Sequence, residues 1–148
     1  MNGTSPDHIA YWTRVLAITL RIGGTVELLA LFSIFLPRDW LEQAHAALGM
    51  GEMPSSVVID FLIRQSSLFY TMHGVLLWYL ASDPVRFRPI VVLMGWTFLL
   101  FGPAFFVIDL VVGTPLWWAI ADPAACAIFG ISILASNHVL GPIPREQQ

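Results

Sequence analysis

The sequence predicts an all-α integral membrane protein: a four-helix bundle, N-in/C-in, with a short amphipathic helix in the outer loop between the first and second spans. Three observations carry this expectation. The 148 residues are 57% hydrophobic, with a mean hydropathy of +0.73, and only 11% are charged, against about 25% in an ordinary soluble domain. Four apolar stretches are each long enough to cross a hydrocarbon core of about 30 Å, and prolines and glycines punctuate the gaps between them. The arginines fall unevenly on the two sides of those stretches, which orients the chain.

The first span is expected over about residues 15–36. Ala44-His45-Ala46 has the look of a signal-peptide cleavage site, but three features argue that the segment is retained. No cation precedes Arg14, the apolar run is too long for a signal h-region, and Arg21 and Glu27 interrupt it. The second span is read over 57–80, opened by Pro54-Ser55-Ser56, a rigid turn followed by capping hydroxyls. The third runs over 89–112, with a kink expected at Gly102-Pro103 and an end at Gly113. Thr114-Pro115 then starts a fourth span over 116–135, bent at Pro123. One membrane domain, residues 1–148, accounts for the chain.

The outer-face segment, residues 37–56, is too long for a tight turn and too polar to span. Trp40, Leu41, Ala44, Leu48 and Met50 share one side of a helix over 39–48 that Gly49 and Gly51 would end. Such a helix either lies on the membrane surface or caps the bundle. Orientation follows from Arg14, Arg86, Arg88 and Arg145 on the cytoplasmic side against Arg38 alone on the other. Tyr11, Trp12, Trp78 and Tyr79 then mark the inner interface, and Trp40, Trp117 and Trp118 the outer one.

Several functions are disfavoured outright. The net charge is −3 and no basic block could grip nucleic acid. Cys126 is the only cysteine, so neither an intrachain disulfide nor a CxxC redox pair can form. No catalytic nucleophile–base pair and no metal-ligand spacing is visible, and no cofactor is predicted. A haem reading of His73, with Met72 or Met94 as second axial ligand, is weak because His8, His45 and His138 lie outside the spans.

The functional signal lies in ionisable residues placed inside the spans, each of which needs a partner or a water-filled cavity. Asp60, Arg64, Ser67, Thr71 and Gly74 follow a 4-3-4-3 spacing, one polar and small stripe expected to face the bundle interior. At a rise of about 1.5 Å per residue, Arg64 and Asp122 each lie about 10 Å below the outer edge. Glu27 is near the middle, Asp60 and Asp109 near the outer interface. The expectation is an intramembrane polar cluster of Arg64, Asp122, Glu27, Asp109 and Asp60, in which Arg64 pairs with Asp122 and shares Glu27. Glu27, Asp109 and Asp122 could also relay protons. His73, half a turn round the helix from Arg64, forms a second polar face with Arg21 at a level nearer the cytoplasm, and shares its side with Ser66, Phe69 and Tyr70. Gly23, Gly24, Ala119, Ala127 and Gly130 are read as sites of close helix packing.

The glycines after an early arginine (LRIGG, Leu20 to Gly24) and a second helix reading RQSSLFYTMHG (Arg64 to Gly74) resemble DoxX-like small four-helix membrane proteins of bacteria and related families. The resemblance implies a bacterial cytoplasmic membrane and, for some members, quinone-linked or thiol-redox chemistry. The lone cysteine departs from the redox-active pattern, and no residue roles come with the likeness.

Two functions follow from all of this. The first is a non-catalytic membrane component, a small subunit or a self-associating scaffold that meets a protein partner or its own copies through helix two. The second is a quinone- or lipid-binding protein whose small hydrophobic ligand meets an arginine–carboxylate site. In both, the lipid bilayer is the surrounding partner. Four helices are few for a secondary transporter built from repeated halves.

Overall fold

The computed structural model describes residues 6–141, and Arg145, assigned above to the cytoplasmic side, lies outside them. Six helices make up nearly all of the described chain: α1 Pro6–Leu28, α2 Ala30–Phe35, α3 Arg38–Ala47, α4 Val57–Leu80, α5 Arg88–Val112 and α6 Leu116–Leu140. Three helical segments are long and apolar enough to cross a membrane: Asp7–Phe35, Arg88–Val112 and Leu116–Leu140. α4 matches them in length with 24 residues. It falls outside that set because Asp60, Arg64, Gln65 and His73 lower its hydropathy.

Two boundaries differ from the sequence reading. α1 starts at Pro6, well before residue 15, with proline in its first turn and Asp7 beside the positive end of its dipole. The Trp12 indole N–H then donates to His8 Nε2 at 3.2 Å. The first span is also not one continuous helix. At Leu29 the amide is shared between the Thr25 and Val26 carbonyls, both at 3.2 Å, and Phe32 bonds back to Leu29 three residues away. That tightened turn separates α1 from α2.

α6 runs to Leu140, beyond the expected 135, because its polar last turn is capped. Arg88 donates from Nε to Asn137 Oδ1 at 2.5 Å, from Nη1 to the Gly141 carbonyl at 2.5 Å and from Nη2 to the Asn137 carbonyl at 2.9 Å. A guanidinium at a helix C-terminus satisfies carbonyls that have no intrahelical partner. α5 and α6 pass through Pro103 and Pro123 as continuous helices.

α3 forms where the amphipathic pattern placed it. It is tied down by Arg38, whose Nε meets Glu42 at 2.7 Å, Nη1 meets Asp60 at 2.5 Å and Nη2 donates to the Pro54 carbonyl at 2.9 Å. Gly49 and Gly51 follow it at φ +77° and +81°, a left-handed backbone that only glycine adopts cheaply. Ser56 caps α4, its hydroxyl accepting from the Val58 amide at 3.2 Å.

The helices pack in a row rather than a closed ring: α4 lies on α1 and α2, α1 on α6, and α6 on α5. Backbone contact holds the row together. A Cβ added at Gly74 would sit 2.7 Å from the Gly24 carbonyl oxygen, and one at Gly130 would sit 2.8 Å from that of Gly95. Small residues allow this approach where no hydrophobic drive exists between helices in lipid. The fully enclosed core of Leu16, Leu20, Leu77, Leu80, Val91 and Ile133 lies at the end that carries the α4–α5 connection. Outward-facing side chains are apolar along the helices, Phe32, Leu100 and Val111 among them, as a lipid environment requires.

Candidate ligand cavity and the Glu27–His73 pair

Because α4 and α5 stand at opposite ends of the row, they separate beyond the core. A cavity of about 970 Å³ opens there, with α1 and α6 as its floor and α4 and α5 as its walls. That volume is at the upper end of the range for small-molecule sites. The α5 wall is aromatic, with Phe98, Phe101 and Phe105 spaced three and four residues apart so that they share one face. Phe129 of α6 meets Phe98 edge-on at 4.8 Å between ring centroids, and Phe98 meets the His73 ring at 5.8 Å.

The polar part of the lining is small and acidic. Glu27 projects from the last turn of α1, just before the break at Leu29, and its Oε2 lies 2.5 Å from His73 Nδ1. The pair is largely sheltered, with the Glu27 side chain 15% exposed and that of His73 34%. With Glu27 ionised, Nδ1 carries the shared hydrogen and fixes the imidazole orientation. Asp122, Tyr70 and Cys126 complete the ionisable lining, and Tyr70 is within electrostatic reach of both Asp122 and Glu27.

The cluster expected from the sequence is therefore redistributed. Glu27 pairs with His73 and not with Arg64. The Arg64–Asp122 ion pair is absent among the described residues: Arg64 is exposed, and its Nη1 donates to the Ile34 carbonyl near the end of α2. Of the 4-3-4-3 stripe, Ser67 and Gly74 are buried while Arg64 is exposed, and the buried part faces α1 and α2. Asp122 stands on α6, which α4 does not pack against. Asp60 is taken by Arg38. Asp109 does not line the cavity, and its Oδ2 is buried without a hydrogen-bond partner while its carbonyl ends α5 by accepting from the Gly113 and Thr114 amides at 2.9 and 3.0 Å.

Arg21 does not join His73. It lies six residues before Glu27, about 240° round the helix, and stacks its guanidinium 5.8 Å from the Trp78 ring centroid on the outer flank. The face of α4 that carries His73 with Ser66, Phe69 and Tyr70 does hold together, and all four line the cavity. Of the two methionines weighed beside His73, Met94 is in the lining and Met72 is not. Sequence reasoning missed the α5 wall, although the 98-101-105 aromatic spacing was there to be read. Among the described residues no three His, Cys, Asp or Glu side chains gather closely enough to hold a metal ion.

No protein-family model, no curated protein and no solved structure matches the chain. The functional reading accordingly rests on the cavity itself.

Proposed function

We propose that this membrane protein binds a small apolar molecule with one polar end, admitted sideways from the bilayer between α4 and α5. The observation that carries the reading is the 970 Å³ cavity, aromatic along most of its wall and polar chiefly at Glu27, His73 and Asp122. Lipids and quinones have this form, which keeps the DoxX-like resemblance in play. In this reading α4 is a fourth span, with Asp60 held by Arg38, His73 and Ser66 facing the cavity, and Arg64 reaching the Ile34 carbonyl of α2. Both termini lie in the cytoplasm of a bacterial inner membrane, and α3 lies on the opposite face, as the arginine distribution supports.

The test uses Cys126, buried and in the lining, as a reporter in nanodiscs. A short-chain quinone analogue or a monoacylglycerol is expected to slow its alkylation by N-ethylmaleimide several-fold, and filling the cavity with Ser132→Trp is expected to abolish that protection. Alkylation that is indifferent to every apolar ligand would overturn the proposal.

A second reading, a subunit or self-associating component, is favoured by Arg64. An exposed guanidinium on a helix of the membrane domain, with no carboxylate partner among the described residues, is costly against lipid and better placed against another protein. Native mass spectrometry in mild detergent distinguishes the cases: a strictly monomeric particle, for both wild type and Arg64→Gln, removes this reading.

A further inference from the structure

We infer that the polar end of the molecule held in the cavity is cationic, so that the occupant is a lipophilic organic cation such as a hydrophobic amine or phosphonium. The inference rests on the cavity being a ligand site and adds the charge that it selects. Its first support is the inventory of titratable groups facing the space. α1 supplies Glu27, α4 supplies Tyr70 and His73, α6 supplies Asp122 and Cys126, and the α5 wall supplies none.

No arginine is in the lining. Arg21 is held at Trp78, Arg64 at the Ile34 carbonyl, Arg38 at Glu42 and Asp60, and Arg88 at the end of α6. Two carboxyl groups therefore face a single imidazole. With both carboxylates ionised the lining stays negative even when His73 is charged. In a low-dielectric space such an excess acts strongly on whatever enters. A phosphate or carboxylate head would be repelled, and a neutral carbonyl would gain little from two acceptors.

The second support is the walls. Phe98, Phe101 and Phe105 on one side and Phe69, Tyr70 and Phe129 on the others surround the space with aromatic rings. Aromatic rings attract a desolvated cation electrostatically and accept its apolar body equally well. Carboxylates without a lining cation, set among aromatic rings, form a cage whose chemistry complements a bulky weakly hydrated cation. A cation that approaches Glu27 competes with the hydrogen carried by His73, so the Glu27–His73 contact opens as the cation binds.

The experiment compares three ligands of similar size and shape on the full chain in neutral detergent, with empty micelles subtracted: tetraphenylphosphonium, tetraphenylborate and the neutral triphenylphosphine oxide. Affinity is read by equilibrium dialysis and by protection of Cys126. The phosphonium is expected to bind at least roughly tenfold more tightly than either of the others. Glu27→Gln with Asp122→Asn is expected to erase that advantage, with circular dichroism and gel-filtration behaviour reporting that the variant is folded.

Equal or tighter binding of the borate or the oxide overturns the cationic assignment and leaves the cavity reading standing. Failure of all three to bind or to protect Cys126 overturns the cavity reading itself. Should the double variant not fold, Asp122→Asn alone decides: it must lower phosphonium affinity several-fold without lowering that of the borate. Unchanged phosphonium affinity counts against the assignment.

Discussion

The two long faces of α4 are built on opposite principles. Towards α1 it presents Ser67, Gly74 and Leu77, all buried, and at Gly74 its backbone comes close enough to Gly24 to exclude even a methyl group. Towards the cavity it presents Phe69 and Tyr70, 59% and 53% exposed, beside the Glu27–His73 contact. The first face is a joint made of small residues and dispersion contacts; the second is large, aromatic and uncovered. One helix can thus be fixed firmly by one side while the other is kept free of packing duty, which a binding wall requires.

The largest effect should come from attacking the joint. Gly74→Val places a branched side chain where the Gly24 carbonyl oxygen would lie 2.7 Å from its Cβ. Backbone cannot give way as a flexible side chain can, so a loss of about 3 kcal/mol is expected, at the upper end for overpacking. Phe69→Ala, on the cavity face, should cost less than about 1 kcal/mol because little of its ring is buried against protein. Thermal unfolding in detergent measures both. Similar losses for the two variants would mean that the cavity face is packed after all and the contrast is false.

A middle-sized effect is expected at the one specific tie on the cavity side. Glu27→Leu and His73→Leu should each destabilise, since each leaves a sheltered polar partner without its hydrogen bond. Combined, they should cost less than the sum of the two, giving a coupling of about 1 kcal/mol, within the span measured for polar pairs between membrane helices. Additive losses in the double-mutant cycle would show that the 2.5 Å contact stabilises nothing, and would reduce the cavity face to aromatic wall alone.

The sequence made some of this contrast readable and hid the rest for physical reasons. Hydropathy, proline and glycine placement located the four long helical segments and α3, because those signals are local, but not the break that separates α1 from α2. The half-turn offset between Arg64 and His73 was also legible, since phase within one helix follows from 3.6 residues per turn. Which neighbour each face meets was not. A rise of about 1.5 Å per residue brings Arg64 level with Asp122, but equal depth does not decide which helices touch. In the structure α1 breaks at Leu29, and α4 packs mainly on α1 and α2. Glu27 then serves His73 instead. Partner choice between helices is a property of the packing order, and nothing in a single helix encodes it.

The smallest expected effect concerns where the comparison ends, at the connection that leads into α4. α3 buries none of its residues, so its hold on the rest of the molecule depends on Arg38, which reaches Asp60 in the first turn of α4 and the Pro54 carbonyl as well as Glu42 within α3. Half-exposed ion pairs contribute little to global stability; with Asp60 38% and Glu42 44% exposed, Arg38→Gln should leave the unfolding transition nearly unchanged. Its consequence should be local. Amide exchange in α3 should quicken several-fold, because a helix of 10 residues is marginal without tertiary contacts, while exchange in α4 beyond its first turn stays slow under the protection of the Gly24–Gly74 joint. If exchange quickens along the whole of α4, then that joint does not anchor the helix alone, and the division between a fixed face and a free face has to be redrawn to include the outer connection.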